Sequence, residues 1–336
     1  MKLIAAALFA AVCAGWVPLV VAQDVVPAAP VPQEDRVVFP ASVPQGALVF
    51  GKVPPGSQVR YRERLLRATG YGTVAFGVGR DETGPLKVDV TLPSGRVEPV
   101  SIAVTPRDWP VEHVNGVPPK TVNPPPEIAA RIQREQALVT AARERDDERT
   151  DFALPFQWPV QGRISGRFGN ARVYNGQPGA GHSGMDIAAP DGTPVKAPAG
   201  GVVTFASPDL YLTGGTVLLD HGHGVSSNFL HLSRIDVKVG DRIEPGQVIG
   251  AVGATGRATG PHLHWGMNWF DTRIDPLLVL DEFIAGSDFN QIRDVREVIR
   301  ELGKEHTMLL STHILSEVEA SCSRIVVIAK SKLVAE

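Results

Sequence analysis

The chain has 336 residues, a formal net charge of −3, and 21% charged against 43% hydrophobic residues. That length allows one to three domains, and the residue balance fits a folded globular protein. No Lys/Arg run is long enough to point to nucleic acid, so no nucleic-acid partner is expected.

In chain order, Met1 and Lys2 give a short positive start, and residues 3–22 are almost wholly apolar, with Pro18 near the end. Val20-Val21-Ala22 supplies the small-residue positions that a signal peptidase reads, and polar Gln23-Asp24 follows. Residues 1–22 therefore read as a secretory signal, and the mature protein as periplasmic or secreted. The rival reading is an uncleaved anchor, which would be the chain's one tie to a membrane. Cys13 falls in this segment and leaves Cys322 alone in the mature chain, so no internal disulfide is expected. Residues 23–35, rich in Pro and Ala, read as an extended linker.

Residues 36–106 hold short β-branched runs, such as 47–50 and 87–92, separated by Gly and Pro turns; they predict a small β-sandwich. Residues 107–150 read as a Pro-rich linker followed by a spacer helix from Glu127 to about Asp147. That helix has Ile128, Ile132, Ala137, Leu138 and Ala141 at roughly helical spacing, and Arg143, Arg145 and Arg149 on its polar side. Residues 151–280 alternate short apolar runs with Gly-rich turns, and 200–205, 216–219 and 248–252 read as strands. The expected fold class is mainly β: a small sandwich, a linker helix, a Gly-rich antiparallel sheet domain and a short α/β appendage.

The second β-domain carries the chemistry. Of nine histidines, six fall between His182 and His264. On a strand His262 and His264 point the same way, and His182 and Asp186, four apart, also share a face. Two imidazoles and one carboxylate would satisfy a catalytic zinc site with one open position, and that donor set suits Zn²⁺ over Mg²⁺ or Ca²⁺. His-x-His or His-x-x-x-Asp alone arises often by chance; their co-occurrence in one Gly-rich domain is the signal. His221 and His223, in Asp220-His221-Gly222-His223-Gly224, read as exposed turn residues.

Residues 156–280 resemble the lysostaphin/LytM-type M23 peptidases. The resemblance rests on His182-Ser183-Gly184-Met185-Asp186, Gly192-Thr193-Pro194-Val195, His231-Leu232-Ser233, and Gly253-Ala254-Thr255-Gly256 leading to Gly260-Pro261-His262-Leu263-His264. It implies an exported zinc metalloendopeptidase (a peptidoglycan hydrolase) that cuts peptidoglycan peptides with a zinc-activated water. His182, Asp186 and His264 match the family's zinc ligands, and His231 and His262 its flanking catalytic pair. Trp265-Gly266 after the His-x-His, and Asn228-Phe229-Leu230 before His231, depart from common family patterns and leave substrate preference open. The alternative is a non-catalytic peptidoglycan-binding protein or activator of a cell-wall amidase.

Residues 281–336, with an overlap from 277, resemble the tail of an ABC-transporter ATP-binding domain. Leu277-Leu278-Val279-Leu280-Asp281-Glu282 is similar to a Walker B strand, and residues 309–319 to the His-switch region. No G-x-x-x-x-G-K-[ST] loop occurs in the sequence, so nothing cradles a nucleotide phosphate and no ATP is expected.

Overall fold

The computed structural model describes residues 36–285, 327–329 and 332–335. The signal segment, the 23–35 linker, both cysteines and most of the ABC-like fragment lie outside the described residues.

The N-terminal strands are β1 (Ser42–Pro44), β2 (Leu48–Lys52), β3 (Gln58–Tyr61), β4 (Arg64–Leu66), β5 (Thr73–Gly77), β6 (Leu86–Thr91) and β7 (Val97–Thr105). They form a five-stranded sheet, β1-β7-β6-β3-β4, and the pair β2-β5. In β6, Leu86, Val88 and Val90 are buried while Lys87 and Asp89 are exposed, the alternation of a half-buried strand. β5 is buried along its whole length. Gly77 ends it against Trp269, where a Cβ would come within 2.8 Å of the Trp269 Cβ. Tyr61, Phe76 and Trp269 meet there, with ring centroids 4.2 to 6.4 Å apart, so one apolar core runs through the N-terminal strands and the histidine-bearing sheet alike.

The stretch read as a linker contributes structure of its own. β8 (Val111–Val114) pairs in parallel with β10 (Ala171–Tyr174), which pairs in turn with β11 (Gln177–Pro178). The helix α1 spans Pro126–Arg143 and ends before Arg145 and Arg149. Its half-buried positions include Ile128, Ile132, Glu135, Val139 and Arg143, while Ala137, Leu138 and Ala141 are exposed. It docks through polar contacts: Arg131 donates to the Asp209 carbonyl at 2.8 Å, and Glu135 accepts from the Tyr211 backbone at 2.8 Å.

The histidine-bearing part of the chain is built on β9 (Arg163–Gly166), β12 (Met185–Ala188), β14 (Gly201–Leu210), β15 (Gly214–Gly222), β16 (Val225–Leu232), β18 (Arg242–Ile243), β20 (His262–Trp269) and β21 (Thr272–Ile274). They form an eight-stranded sheet ordered β18-β14-β15-β16-β20-β12-β9, with β21 on β20. A small sheet of β13 (Pro194–Lys196), β19 (Val248–Ala251) and β17 (Arg234–Ile235) accompanies it. The fold is mainly β, as the sequence predicts.

Residues 277–280 are not a Walker B strand. They lie in a second helix, α2 (Pro276–Ala285), with Val279 and Leu280 buried. Asp275 accepts from the Leu277 backbone at 2.9 Å and Pro276 opens the first turn, so a side-chain cap and an N-terminal proline start the helix. A short hairpin pairs β22 (Val327–Ala329) with β23 (Lys332–Ala335).

Candidate metal centre and groove

His262 and His264 leave one face of β20, while Leu263 and Trp265 are buried on the other. Across the ladder His264 stands opposite Asp186 of β12, and His262 opposite Ala188. His182 corrects the single-strand expectation: it lies in the loop before β12. That loop passes close to β20 at Gly184, where a Cβ would come within 2.8 Å of His264 Nε2.

Three donor atoms converge there. His182 Nε2 lies 3.0 Å from both His264 Nδ1 and Asp186 Oδ1, and His264 Nδ1 lies 2.9 Å from Asp186 Oδ1. Zinc bonds of about 2.0–2.1 Å in tetrahedral geometry require donors about 3.3 Å apart, so this triangle is close to one face of such a site. His182 Nδ1 is 3.0 Å from the Arg167 carbonyl; donating its proton there leaves the Nε2 lone pair facing the cluster. Burial opposes ionisation of Asp186, but hydrogen bonds and charge from His182 and His264 outweigh it and hold the carboxyl well below its usual range. Burial pushes His264 down to about 4, against the pull of Asp186. One carboxylate and two imidazoles whose ring nitrogens converge fit a divalent metal of the zinc type.

Two more histidines flank the triangle. His231, near the end of β16, has φ of +64°, a left-handed conformation that costs energy for a non-glycine residue. Its ring centroid lies 4.8 Å from that of His262 and 6.3 Å from that of His264. His231 Nδ1 bonds the Thr255 carbonyl at 2.7 Å, and His262 Nδ1 bonds the Gly260 carbonyl at 2.8 Å. Donation at Nδ1 leaves each Nε2 as an acceptor. Burial, then the neighbouring His262 and His264, push His231 down to about 3, so it is neutral near pH 7. The cluster lies in a groove of about 1060 Å³. Tyr174 and Arg257 line it, with the guanidinium 4.1 Å from the ring centroid.

The model of Peptidase family M23 matches residues 180–276. A crystal structure described as a putative peptidase M23 from Pseudomonas aeruginosa is 33% identical, covers 70% of this chain and 93% of that one, and superposes with a TM-score of 0.54. The chain belongs to peptidase family M23. Curated relatives include the cell division protein DipM of Caulobacter vibrioides, 33% identical over 165 residues and 47% of this chain. The peptidoglycan DD-endopeptidase ShyC of Vibrio cholerae is 43% identical over 105 residues and 31% of this chain. The chain spans 26% and 24% of the lengths of these two relatives.

Around this M23 centre the structure adds two residues that sequence reasoning missed. Arg172 of β10 donates to Asp186 Oδ2 at 2.7 Å, and its Nε donates to Glu112 of β8 at 3.1 Å. Glu112 also accepts from Asn170 at 2.7 Å. Asp186 thus turns one oxygen to the cluster and the other to a guanidinium. Neither residue carries a local motif; the β8–β10 pairing alone brings them in.

His221 and His223 are also corrected. Both are buried. His221 uses both ring nitrogens, bonding the Gly200 carbonyl at 2.6 Å and Ser227 Oγ at 2.8 Å. His223 does sit in a turn, with φ of +51°, but Phe152 covers it at a ring distance of 4.5 Å. Neither belongs to the M23 centre.

Proposed function

We propose that this chain is an exported zinc metalloendopeptidase that hydrolyses peptide bonds in peptidoglycan. The observation that carries the reading is the convergence of His182 Nε2, Asp186 Oδ1 and His264 Nδ1 within 3.0 Å of one another, beside His231 and His262 in an open groove. The name of ShyC supports peptidoglycan as substrate. The apolar N-terminal segment supports export to the periplasm or beyond.

In this reading His182, Asp186 and His264 hold the zinc, and Arg172 fixes the angle of Asp186. Zinc supplies an acidified water and a polarised scissile carbonyl when bound. His231 and His262, each anchored through Nδ1, present Nε2 for the remaining work. One accepts the proton released during attack; the other steadies the oxyanion or protonates the leaving amine.

The test is zinc content and activity measured together on the purified chain, with isolated peptidoglycan and with or without a chelator. About one zinc per chain and chelator-sensitive release of new amino groups are expected. Protein that retains no zinc would sink the catalytic assignment and favour a binding or activating role.

A further inference from the structure

His231 and His262 are both anchored by one loop, residues 253–261, which leads into β20. The two anchoring carbonyls are held differently. Thr255, which accepts from His231, is tied by its own side chain. Its Oγ1 donates to the Leu232 carbonyl at 2.9 Å and accepts from the Gly215 backbone at 2.9 Å. Gly256, with φ of +70°, passes so close to Gly214 that a Cβ would come within 2.5 Å of the Gly214 nitrogen. Beyond Arg257 this support ends. Among the described residues, 258–261 make no hydrogen bond except the one that the Gly260 carbonyl accepts from His262.

Arg257 is therefore the last tie before the carbonyl that aims His262. Its backbone donates to the Leu212 carbonyl at 2.8 Å. Its half-buried side chain reaches away from the loop. The guanidinium lies 4.1 Å from the centroid of the Tyr174 ring, and Nη1 donates to the Thr121 carbonyl at 3.3 Å. A planar guanidinium can stack on an aromatic face and still donate in its own plane. Both partners are themselves fixed. Tyr174 belongs to the paired strands β8, β10 and β11, and Gly179 packs on its ring, where a Cβ would come within 2.7 Å. Thr121 closes a 3₁₀ turn, Pro119–Thr121, and its backbone donates to the Pro118 carbonyl at 2.9 Å. We propose that Arg257 is a positioning residue for His262: held between Tyr174 and Thr121, it fixes the Gly260 carbonyl and through it the direction of His262 Nε2. Thr121 and Tyr174 both precede residues 180–276, the span that the M23 model matches. The stretch that reads as a linker in the sequence thus helps to set one of the two flanking histidines. The effect on turnover rests on the peptidase reading; the orientation of His262 does not.

The test is a proton–carbon NMR spectrum of the histidine rings in the full zinc-loaded chain at fixed pH. Signals are assigned with His221→Gln, His231→Gln and His262→Gln. In Arg257→Ala the His262 signal is expected to shift and broaden, while those of His231 and His221 stay in place. Tyr174→Leu removes the stacking face and should reproduce that spectrum more weakly, whereas Tyr174→Phe keeps the face and should leave the His262 signal unmoved. Tyr174→Leu carries the test if Arg257→Ala does not fold. An unmoved His262 signal, or an equal displacement of His231, would overturn the proposal. Digestion of soluble peptidoglycan fragments is scored alongside. Turnover in Arg257→Ala is expected to fall by about tenfold or more with KM within about twofold, the pattern of a misplaced catalytic group. A raised KM at unchanged turnover would make Arg257 a substrate contact instead and overturn the positioning role. Digestion by the unaltered chain with an unmoved His262 in the variant sinks the positioning role alone. A displaced His262 in a chain that never digests peptidoglycan sinks the peptidase reading alone.

Discussion

Two parts of the same sheet bury histidines, and they use them differently. Where β15 turns into β16, His221 spends both ring nitrogens on protein partners, and burial pushes it down to about 4. In the groove, His231 is buried to a similar degree and pushed down to about 3, yet only its Nδ1 is anchored by a protein carbonyl. Burial and a depressed pKa therefore do not separate structural from chemical histidines here. The free Nε2 does, together with a groove that lets something reach it.

The comparison breaks most readily at the metal centre. His264→Ala should abolish zinc retention and reduce peptidoglycan cleavage below detection, while His221→Ala should keep about one zinc per chain; metal analysis after dialysis reads both. If His221→Ala also lost zinc, the division between the two regions would be wrong. His231→Ala comes next. It should leave zinc in place and lower turnover by about 10²–10⁴-fold, the usual worth of a positioned general acid or base; wild-type turnover would remove His231 from the mechanism.

A pH titration of stability sharpens the structural half. His221 has a folded pKa of about 4 against an ordinary 6.5, so between those values the unfolded chain binds more protons. Its contribution is present above pH 6.5 and is lost as pH falls towards 4, amounting to about 3 kcal/mol over that window. Urea unfolding of wild type and His221→Gln at pH 7 and pH 4.5 should show a smaller pH loss in the variant. The smallest effect concerns Arg172. Arg172→Gln should weaken zinc affinity by about 10–100-fold, the range for a residue that orients a ligand, as read by chelator competition. An unchanged affinity would mean that Asp186 keeps its angle without the guanidinium.

Much of the groove was legible because strand periodicity and short motifs are local. His262 and His264 share a face in any strand, and β6 shows its alternation directly in the sequence. The turn at residues 220–224 was legible as backbone: Gly222 and Gly224 both take positive φ. Its burial was not, because the cover comes from residues 147–152, with Arg149 paired to Asp220 and Phe152 laid on His223. Residues 277–280 misled for another reason. An apolar run of four does not distinguish strand from helix, and the deciding signal was the Asp275-Pro276 cap just before it.

By itself the sequence determined the mainly β class, the histidine-rich β-domain and which side chains could serve as ligands, since residue type and period-two spacing need no knowledge of distant contacts. Only the tertiary structure decided that His182 reaches the cluster from a loop, that Arg172 and Glu112 stand behind Asp186, and that His221 and His223 are buried. Each of these depends on contacts between segments far apart in the chain, such as β8 with β10 or β12 with β20. Such pairings are selected by the packing of the whole core and leave no local pattern to read.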